Sequence, residues 1–163
     1  MDVVIRKIQK GDRSDFIRLS MELTQYNKRQ HDKFYSDFDQ VLQVRKQRVE
    51  ERFNKLEAST NLVIFMAFAG DEPLGYIRAF TYDQKLHCGC LDEIYIVDEA
   101  RGRGIGKKLI AAVEEWMAQK GVVRMIVSVY AWNTQTRNFY KEAGFDEYAV
   151  SYQKPINGQG DPQ

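Results

Sequence analysis

The sequence is poor in the residues that build metal centres and disulfide frameworks. It contains two cysteines, two histidines and three prolines among 163 residues. Cys88 and Cys90 lie two positions apart and would share one face of a strand, a spacing that favours neither a disulfide nor a zinc knuckle. We therefore expect two free thiols in a reducing compartment, a cytoplasmic protein and no metal site.

The sequence also lacks an excess of charge of one sign and a long hydrophobic run. Its formal net charge is +1, which argues against nucleic acid or an anionic membrane as a partner. Its longest clean apolar run, 62–69, is too short to cross a bilayer. The N-terminus shows no basic region followed by an apolar stretch, so no signal peptide is expected.

What the chain does contain is enough apolar sequence, 44% of its residues, to build one domain without covalent staples. Hydrophobic periodicity and turn residues predict the elements in order. Strands are predicted over 3–8, 62–69, 74–82, 87–97, 122–132 and 145–154. Helices are predicted from 12 or 14 to about 26, and over 38–57, 104–119 and 134–143, with an irregular stretch over 27–38.

This β-α-α-β-β-β-α-β-α-β order predicts an α+β domain around a mostly antiparallel sheet. Parallel pairing is expected where the strand–helix–strand unit 90–132 forces it. The domain is expected to span 1–154. The polar tail 155–163 is predicted to be disordered.

A glycine-rich, basic loop stands directly before the predicted helix 104–119. It reads Arg-Gly-Arg-Gly-Ile-Gly-Lys-Lys over 101–108. The glycines leave backbone amides uncovered, and the positive end of the helix dipole points at the loop, so the segment is suited to bind a polyanion such as a pyrophosphate. The alternative is a glycine-rich turn before a solvated basic helix start. Arginine and lysine at a helix N-terminus are electrostatically unfavourable unless an anion binds there.

Two familiar phosphate loops do not fit this segment. A Walker A loop needs a glycine five residues before Gly106, where the chain has Arg101, and it needs serine or threonine at Lys108. The dinucleotide pattern fails as well, because its third glycine would fall on Lys107.

The loop instead resembles the R/Q-x-x-G-x-G/A signature of the GNAT N-acetyltransferase superfamily, which binds acetyl-CoA. Residues 91–96, Leu-Asp-Glu-Ile-Tyr-Ile, resemble the strand that precedes this signature, and Asn133 with 139–145 resembles the second conserved block. The resemblance covers roughly 3–152 and includes the element order. It departs at Asp98, where many members have proline. It implies a GNAT-like fold with splayed strands and helices on both faces of the sheet.

The resemblance also implies how acetyl-CoA would bind as co-substrate. The pantetheine arm would pair with the backbone of Ile94 and Ile96 as an added strand. The pyrophosphate would lie on the loop and the helix start, and Asn133 could hydrogen-bond the cofactor or simply cap helix 134–143. The loop residues expected to bind the cofactor are Arg101, Gly102, Arg103, Gly104, Ile105, Gly106, Lys107 and Lys108.

Acyl transfer to an amine requires a proton acceptor and a proton donor. Tyr140 matches the tyrosine of the family that can protonate the departing thiolate, and the alternative is an aromatic that only packs on its helix. We expect Phe139 to be the core residue of this pair. Asp92 and Glu93 are the candidate bases, directly or through water. Strand alternation would place them on opposite faces, and Glu93, which would share a face with Tyr95, is the weakly preferred one.

The acceptor site is less defined by the sequence. In relatives the region between the first two helices often lines it, and aromatic side chains with carboxylates suit a cationic amine. The candidate residues are Tyr26, Phe34, Tyr35, Tyr82 and Tyr130. The alternative is a solvated loop anchored by its aromatics. We expect transfer of acetyl to a primary amine within a ternary complex. The sequence leaves the oligomeric state open, and the resemblance suggests a homodimer because relatives are often dimers. The competing hypotheses are a non-catalytic acyl-CoA sensor and a phosphate-binding domain unrelated to CoA.

Overall fold

One five-stranded sheet organises the larger part of the chain. The structure is a computed structural model, and it describes residues 2–30, 38–56, 58–82 and 87–152. The strands are β1 (Val4–Lys7), β2 (Leu62–Ala69), β3 (Glu72–Thr81), β4 (Cys88–Ile96) and β5 (Arg124–Val127), and they lie in this order across the sheet. The pairs β1–β2, β2–β3 and β3–β4 are antiparallel, and β4–β5 is parallel. The predicted α+β class and mixed, mostly antiparallel sheet are confirmed.

Four helices accompany the strands. They are α1 (Arg13–Gln30), α2 (Phe38–Lys55), α3 (Ile105–Ala118) and α4 (Thr134–Glu142). Short 3-10 turns at Lys10–Asp12 and Asp98–Ala100 precede α1 and the glycine-rich loop. Among the described residues, no helix is long and apolar enough to cross a membrane.

The helices follow the apolar stripes of their sequences. A core cluster on one side of the sheet joins α1 and α2 to the strands. Its buried members are Phe16, Leu19, Val49, Ile64, Met66, Phe68, Tyr76 and Tyr95. On α3, the residues at helical spacing that are buried include Leu109, Val113 and Trp116, and α3 packs against β2, β3 and β4.

The chain divides into two compact units, 1–128 and 129–163. The first contains the whole sheet with α1, α2 and α3. The second contains α4, which ends where Gly144 adopts the left-handed conformation (φ +90°) that stops a helix. The expectation of one domain over 1–154 stays a prediction, and the tail 155–163 lies outside the described residues.

Three predicted boundaries are wrong. Helix α1 continues to Gln30, beyond the expected end near Tyr26, because polar residues can lengthen a helix whose apolar face is already anchored. The strand expected over 122–132 is four residues long, since β5 pairs with β4 only opposite 88–91. Residues 145–152 form no strand. There the alternation of Tyr148, Val150 and Tyr152 indicates a strand, but alternation alone does not supply a neighbouring strand to accept its hydrogen bonds.

Candidate active site

A β-bulge interrupts β4 in the first unit. Arg78 and Ala79 are neighbours on β3. Ala79 lies opposite Leu91 and Arg78 lies opposite Glu93, so Asp92 is an extra residue on β4. A bulge bends its strand and increases the local twist. The parallel ladder with β5 ends at Leu91, one residue before this bend. Beyond it, β4 continues to Ile96 paired only with β3 in the part of the chain that the structure describes.

The backbone beyond the bulge has one edge open. Val97 donates its N–H to the carbonyl of Leu74 across the β3 side, 3.0 Å away. Because backbone groups of successive strand residues point to opposite edges, those of Ile96 and Ile94 point away from β3. The carbonyl of Ile96 accepts a hydrogen bond from Arg101 Nε at 3.0 Å. One acceptor of this edge is therefore already engaged. The rest of the edge can accept an added strand of the kind predicted for pantetheine, and the assignment of Ile94 and Ile96 stays a prediction.

The glycine-rich loop has the backbone conformation that its glycines allow. Gly102 and Gly104 both have φ of +76°, in the left-handed region that side chains disfavour. Gly104 is the N-cap of α3, so no side chain caps the helix start, and the first turn carries no acidic residue. The first amides of a helix have no intrahelical acceptor. The start of α3 therefore presents N–H groups and the positive end of its dipole to the loop.

The loop contains four cationic residues, and one of them, Arg101, binds other parts of the first unit. Arg101 forms an ion pair with Asp98 at 2.8 Å, and its guanidinium lies 4.7 Å from the ring centre of Tyr26. With its bond to the carbonyl of Ile96, this side chain joins the loop to β4 and α1. Exposed side chains at the loop are Arg103, Lys107 and Lys108, whereas Ile105 and Gly106 are buried at the helix start.

Asp92 and Glu93 do not lie on opposite faces of the sheet, so that expectation is wrong. Both carboxylates form ion pairs with the same guanidinium nitrogen of Arg78. The bulge is the physical reason, because an extra residue breaks the strict alternation of side chains along a strand. The register keeps Glu93 on the face of Tyr95, as predicted. Glu93 lies opposite Arg78, and Tyr95 lies opposite Tyr76.

Glu93 is the centre of a buried polar network. Its side chain is 13% exposed and pairs with Arg45 of α2 and with Arg78 at 2.9 Å. The hydroxyl of Tyr76 donates to its other oxygen at 2.9 Å, and Arg45 also donates to Ser20 of α1 at 3.2 Å. The carboxylate of Glu93 therefore links α2, β3 and β4, and α1 joins the same network through Ser20.

The charges around Glu93 set its protonation state. Burial raises the pKa of this carboxyl, but the guanidinium groups of Arg78 and Arg45 and the hydrogen bonds from Arg45 and Tyr76 outweigh burial and lower it. Burial and the negative charge of Glu93 raise the pKa of Tyr76 well above its usual value. Glu93 is therefore held as an anion with its oxygens engaged, and a carboxylate of lowered pKa is a weak proton acceptor.

The second unit contains the predicted acid and the predicted cap. Asn133 is the N-cap of α4, and its side-chain oxygen accepts from the N–H of Thr136 at 3.0 Å. Its capping role is confirmed, and its cofactor role stays a prediction. Tyr140 is 5% exposed, and its ring centre lies 5.2 Å from those of Phe139 and Phe145. Because Phe139 is only half-buried, the expectation that it is the core residue of the pair is wrong.

The predicted acceptor residues do not form one group. Phe34 and Tyr35 lie outside the described residues. Tyr26 lies on α1 under the guanidinium of Arg101. Tyr82 donates its backbone N–H to the carbonyl of Cys88 and stacks edge-on against Phe80 at 5.2 Å.

Tyr82 lines a cleft at the start of β4, and the bulge lies about 13 Å away at roughly 3.3 Å per strand residue. Tyr130, in the second unit, stacks on Trp132 with ring centres 5.5 Å apart. The roles of these aromatics in acceptor binding stay predictions.

Sequence reasoning missed the arginines that engage the two carboxylates. The available signal was Arg78 in the middle of the apolar strand 74–82, because a buried charge needs a partner. Arg45 gave no such signal, since a charged residue on a helix is usually solvated. Cys88 and Cys90 are free thiols, as expected. Among the described residues, no group of three histidine, cysteine or carboxylate side chains is placed to hold a metal ion.

Known proteins are similar to this chain in sequence. Residues 23–145 match the acetyltransferase (GNAT) family. The thialysine N-epsilon-acetyltransferase of Bos taurus is 31% identical over 149 residues, which cover 87% of this chain and 83% of the relative. The aminoglycoside N(6')-acetyltransferase type 1 of Salmonella typhimurium is 30% identical over 94 residues, which cover 53% of this chain and 64% of that one.

Solved structures show the same fold. PaiA N-acetyltransferase from Thermoplasma acidophilum in complex with coenzyme A aligns with a TM-score of 0.73 at 21% identity, covering 93% of this chain and 94% of that chain. AAC(6')-Iy in complex with the bisubstrate analogue CoA-S-monomethyl-acetylneamine aligns with a TM-score of 0.67 at 22% identity. The alignment covers 96% of this chain and 100% of that chain.

The chain therefore belongs to the acetyltransferase (GNAT) family. It is an acetyl-CoA-dependent N-acetyltransferase.

Proposed function

We propose that the protein transfers the acetyl group of acetyl-CoA to a primary amine by direct attack within a ternary complex. The observation that carries the proposal is the open edge of β4 beyond the bulge, close in sequence to the glycine-rich start of α3. One edge can take the pantetheine arm as a strand, and the helix start can take the pyrophosphate. The relatives named above, whose names describe acetylation of amines, support the same chemistry.

The chemical step joins nitrogen to the acetyl carbon. The neutral amine attacks the thioester carbonyl, the C–N bond forms, the C–S bond breaks, and the electron pair leaves on the sulfur of CoA. The amine must first lose the proton that it carries near neutrality, since the pKa of a lysine-like amine is about 10.4. The thiolate accepts a proton, and we assign that donation to the hydroxyl of Tyr140.

For the proton acceptor, the contacts favour Asp92 over Glu93. Glu93 is engaged by Arg45, Arg78 and Tyr76 and has a lowered pKa. Asp92 shares only Arg78 with it and is 36% exposed at its side chain, so it can pass a proton to solvent through a water molecule. In this proposal Glu93 positions the bulge, and Asp92 receives the proton of the amine.

The thiols of Cys88 and Cys90 have no place in this step. Cys90 lies before the bulge, four residues from Ile94, where the thioester arm is expected to start pairing. Burial, the largest effect, and the charge of Asp92 raise the pKa of the Cys90 thiol. A raised pKa reduces the thiolate fraction and with it the nucleophilicity needed for an acetyl-cysteine intermediate.

The test separates catalysis from cofactor binding. Tyr140→Phe should lower turnover at least about a hundredfold, measured as release of free CoA thiol with a panel of amines. Calorimetry should find the acetyl-CoA affinity unchanged. Tyr152→Phe, at an exposed tyrosine of the same unit, is the matched control and should keep full turnover.

Two results would contradict the proposal. Unchanged turnover in Tyr140→Phe would remove the assigned proton donor. Acetyl-CoA binding without thiol release for any amine would instead favour the non-catalytic sensor. The proposal retains the single domain over 1–154, the cytoplasmic location and the homodimer, and sedimentation of the purified chain tests the last of these.

A further inference from the structure

The described residues around the bulge contain more positive charge than the carboxylates there can balance. Arg45, Arg52 and Arg78 are the cations, and Asp92 and Glu93 are the anions. Arg78 pairs with both carboxylates, and Arg45 pairs with Glu93. This leaves an excess of one positive charge, in a place where part of the cluster is shielded from water.

Arg52 carries the surplus charge, and it lies on the same side of α2 as Arg45 and Val49. Arg45, Val49 and Arg52 are spaced four and three residues apart, which places them on one side of a helix. Val49 is buried in the core cluster, and Arg45 pairs with Glu93 of β4, so this side of α2 faces the core. Arg52 itself is exposed. Among the described residues, no carboxylate lies within ion-pair distance of it.

The field of the other two arginines reaches Arg52. Partial burial, then the charge of Arg78, and to a smaller extent that of Arg45, lower the pKa of Arg52, and the two carboxylates only partly oppose this. Inside the cluster, the Nε atoms of Arg45 and Arg78 are buried without a hydrogen-bond partner in the described part of the chain. Arg78 is only 5% exposed. The cluster is therefore short of acceptor oxygens as well as of negative charge.

A polycation would be repelled by such a cluster, whereas an anion would complete it. We propose that the amine acceptor also carries a carboxylate, as an amino acid does, and that Arg52 binds this carboxylate while Asp92 faces the reacting amine. Guanidinium and carboxylate form paired, charge-assisted hydrogen bonds, so Arg52 is a specificity-determining residue. This inference rests on the proposed acetyl transfer and narrows its acceptor to a class.

The experiment compares acceptors that differ in the carboxylate. Lysine, lysinamide and cadaverine share an amine on a chain of the same length, but lysinamide has an uncharged amide in place of the carboxylate, and cadaverine has neither. The full chain should acetylate lysine with a kcat/KM at least about tenfold above the other two, the scale of one charge-assisted hydrogen bond. Ornithine and putrescine provide a second pair of shorter length.

Arg52→Gln should abolish this preference by lowering kcat/KM for lysine to the values for lysinamide and cadaverine, which should not change. Lys46→Gln removes the same charge from α2 on another side of the helix and should keep the preference. Thermal unfolding and acetyl-CoA calorimetry show that each variant is folded and binds the cofactor.

The possible failures are distinguishable. Equal or better acetylation of the diamines by the unaltered chain would overturn the carboxylate inference and leave the acetyltransferase proposal intact. An equal loss for all three acceptors in Arg52→Gln would also overturn it. Absence of thiol release with every amine would instead remove the proposed acceptor class together with the proposed function.

Discussion

Replacing Glu93 by glutamine tests whether this carboxylate holds the first unit together. The substitution keeps the shape of the side chain and an acceptor for the hydroxyl of Tyr76, but it removes the charge that Arg45 and Arg78 share. Removing one partner of a buried ion pair typically costs about 3–5 kcal/mol. Because Asp92 still pairs with Arg78, we expect the free energy of unfolding to fall by about 3 kcal/mol, the lower end of this range.

The assay is thermal and urea unfolding at neutral and acidic pH. For a chain of this size, 1 kcal/mol corresponds to about 2–4 °C in Tm, so Glu93→Gln should unfold about 6–12 °C earlier at pH 7. Burial raises the pKa of Glu93, and the arginines lower it further than burial raises it. A lowered folded-state pKa stabilises the protein above the unfolded value, about 4.3, and this contribution is lost as the pH falls through the folded value.

The difference in stability between the unaltered chain and Glu93→Gln should therefore shrink on acidification. Glu51→Gln, at an exposed carboxylate of α2, is the control and should stay within about 0.5 kcal/mol of the unaltered chain at every pH. A loss below about 0.5 kcal/mol for Glu93→Gln, with no change between neutral and acidic pH, would refute the reasoning and return Glu93 to candidacy as the free base.

Two further substitutions test the glycine-rich loop and the start of α4. Gly104→Ala should weaken acetyl-CoA binding in calorimetry about fivefold, since a side chain at φ of +76° costs about 1 kcal/mol. Gly70→Ala carries comparable strain at φ of +61° in the β2–β3 turn and should lower Tm with unchanged affinity, so an equal loss of affinity in both would contradict a role for the loop. Asn133→Ala should cost about 1 kcal/mol of unfolding free energy through loss of the cap. Asn133→Asp should restore stability, and weaker acetyl-CoA binding in Asn133→Asp alone would reveal a cofactor contact by the amide.

The elements whose signals are local could be predicted from the sequence. The apolar run Leu62–Ala69 matches β2 at both ends. Gly121 and Gly144, which follow α3 and α4, adopt the left-handed conformation that stops a helix. The loop before α3 was located because glycine and cationic residues both disfavour a helix start unless an anion binds there. In each of these cases the cause lies within a few residues of the effect.

The features that depend on distant pairing could not be predicted. The local sequence Leu91-Asp92-Glu93 does not by itself indicate an extra residue in β4, because the bulge exists only relative to the register of β3. Only the resemblance to a family with splayed strands predicted a bulge here. The partners of Glu93 come from segments 15 and 48 residues away. The predicted length of β5 was wrong for the same reason, because β5 extends only as far as β4 remains beside it.

The extra residue at Asp92 has a consequence for changes in chain length. Without it, Leu91 and Glu93 would follow one another opposite Ala79 and Arg78, as in a regular antiparallel pair. Glu93 would keep its arginines, so the sheet would survive the deletion. The straightened strand would, however, stay beside β5 for longer, and in the proposed binding mode this would close the gap that the thioester arm occupies. On that proposal, deletion of the Asp92 codon would give a folded protein that no longer binds acetyl-CoA, and it would separate folding from chemistry.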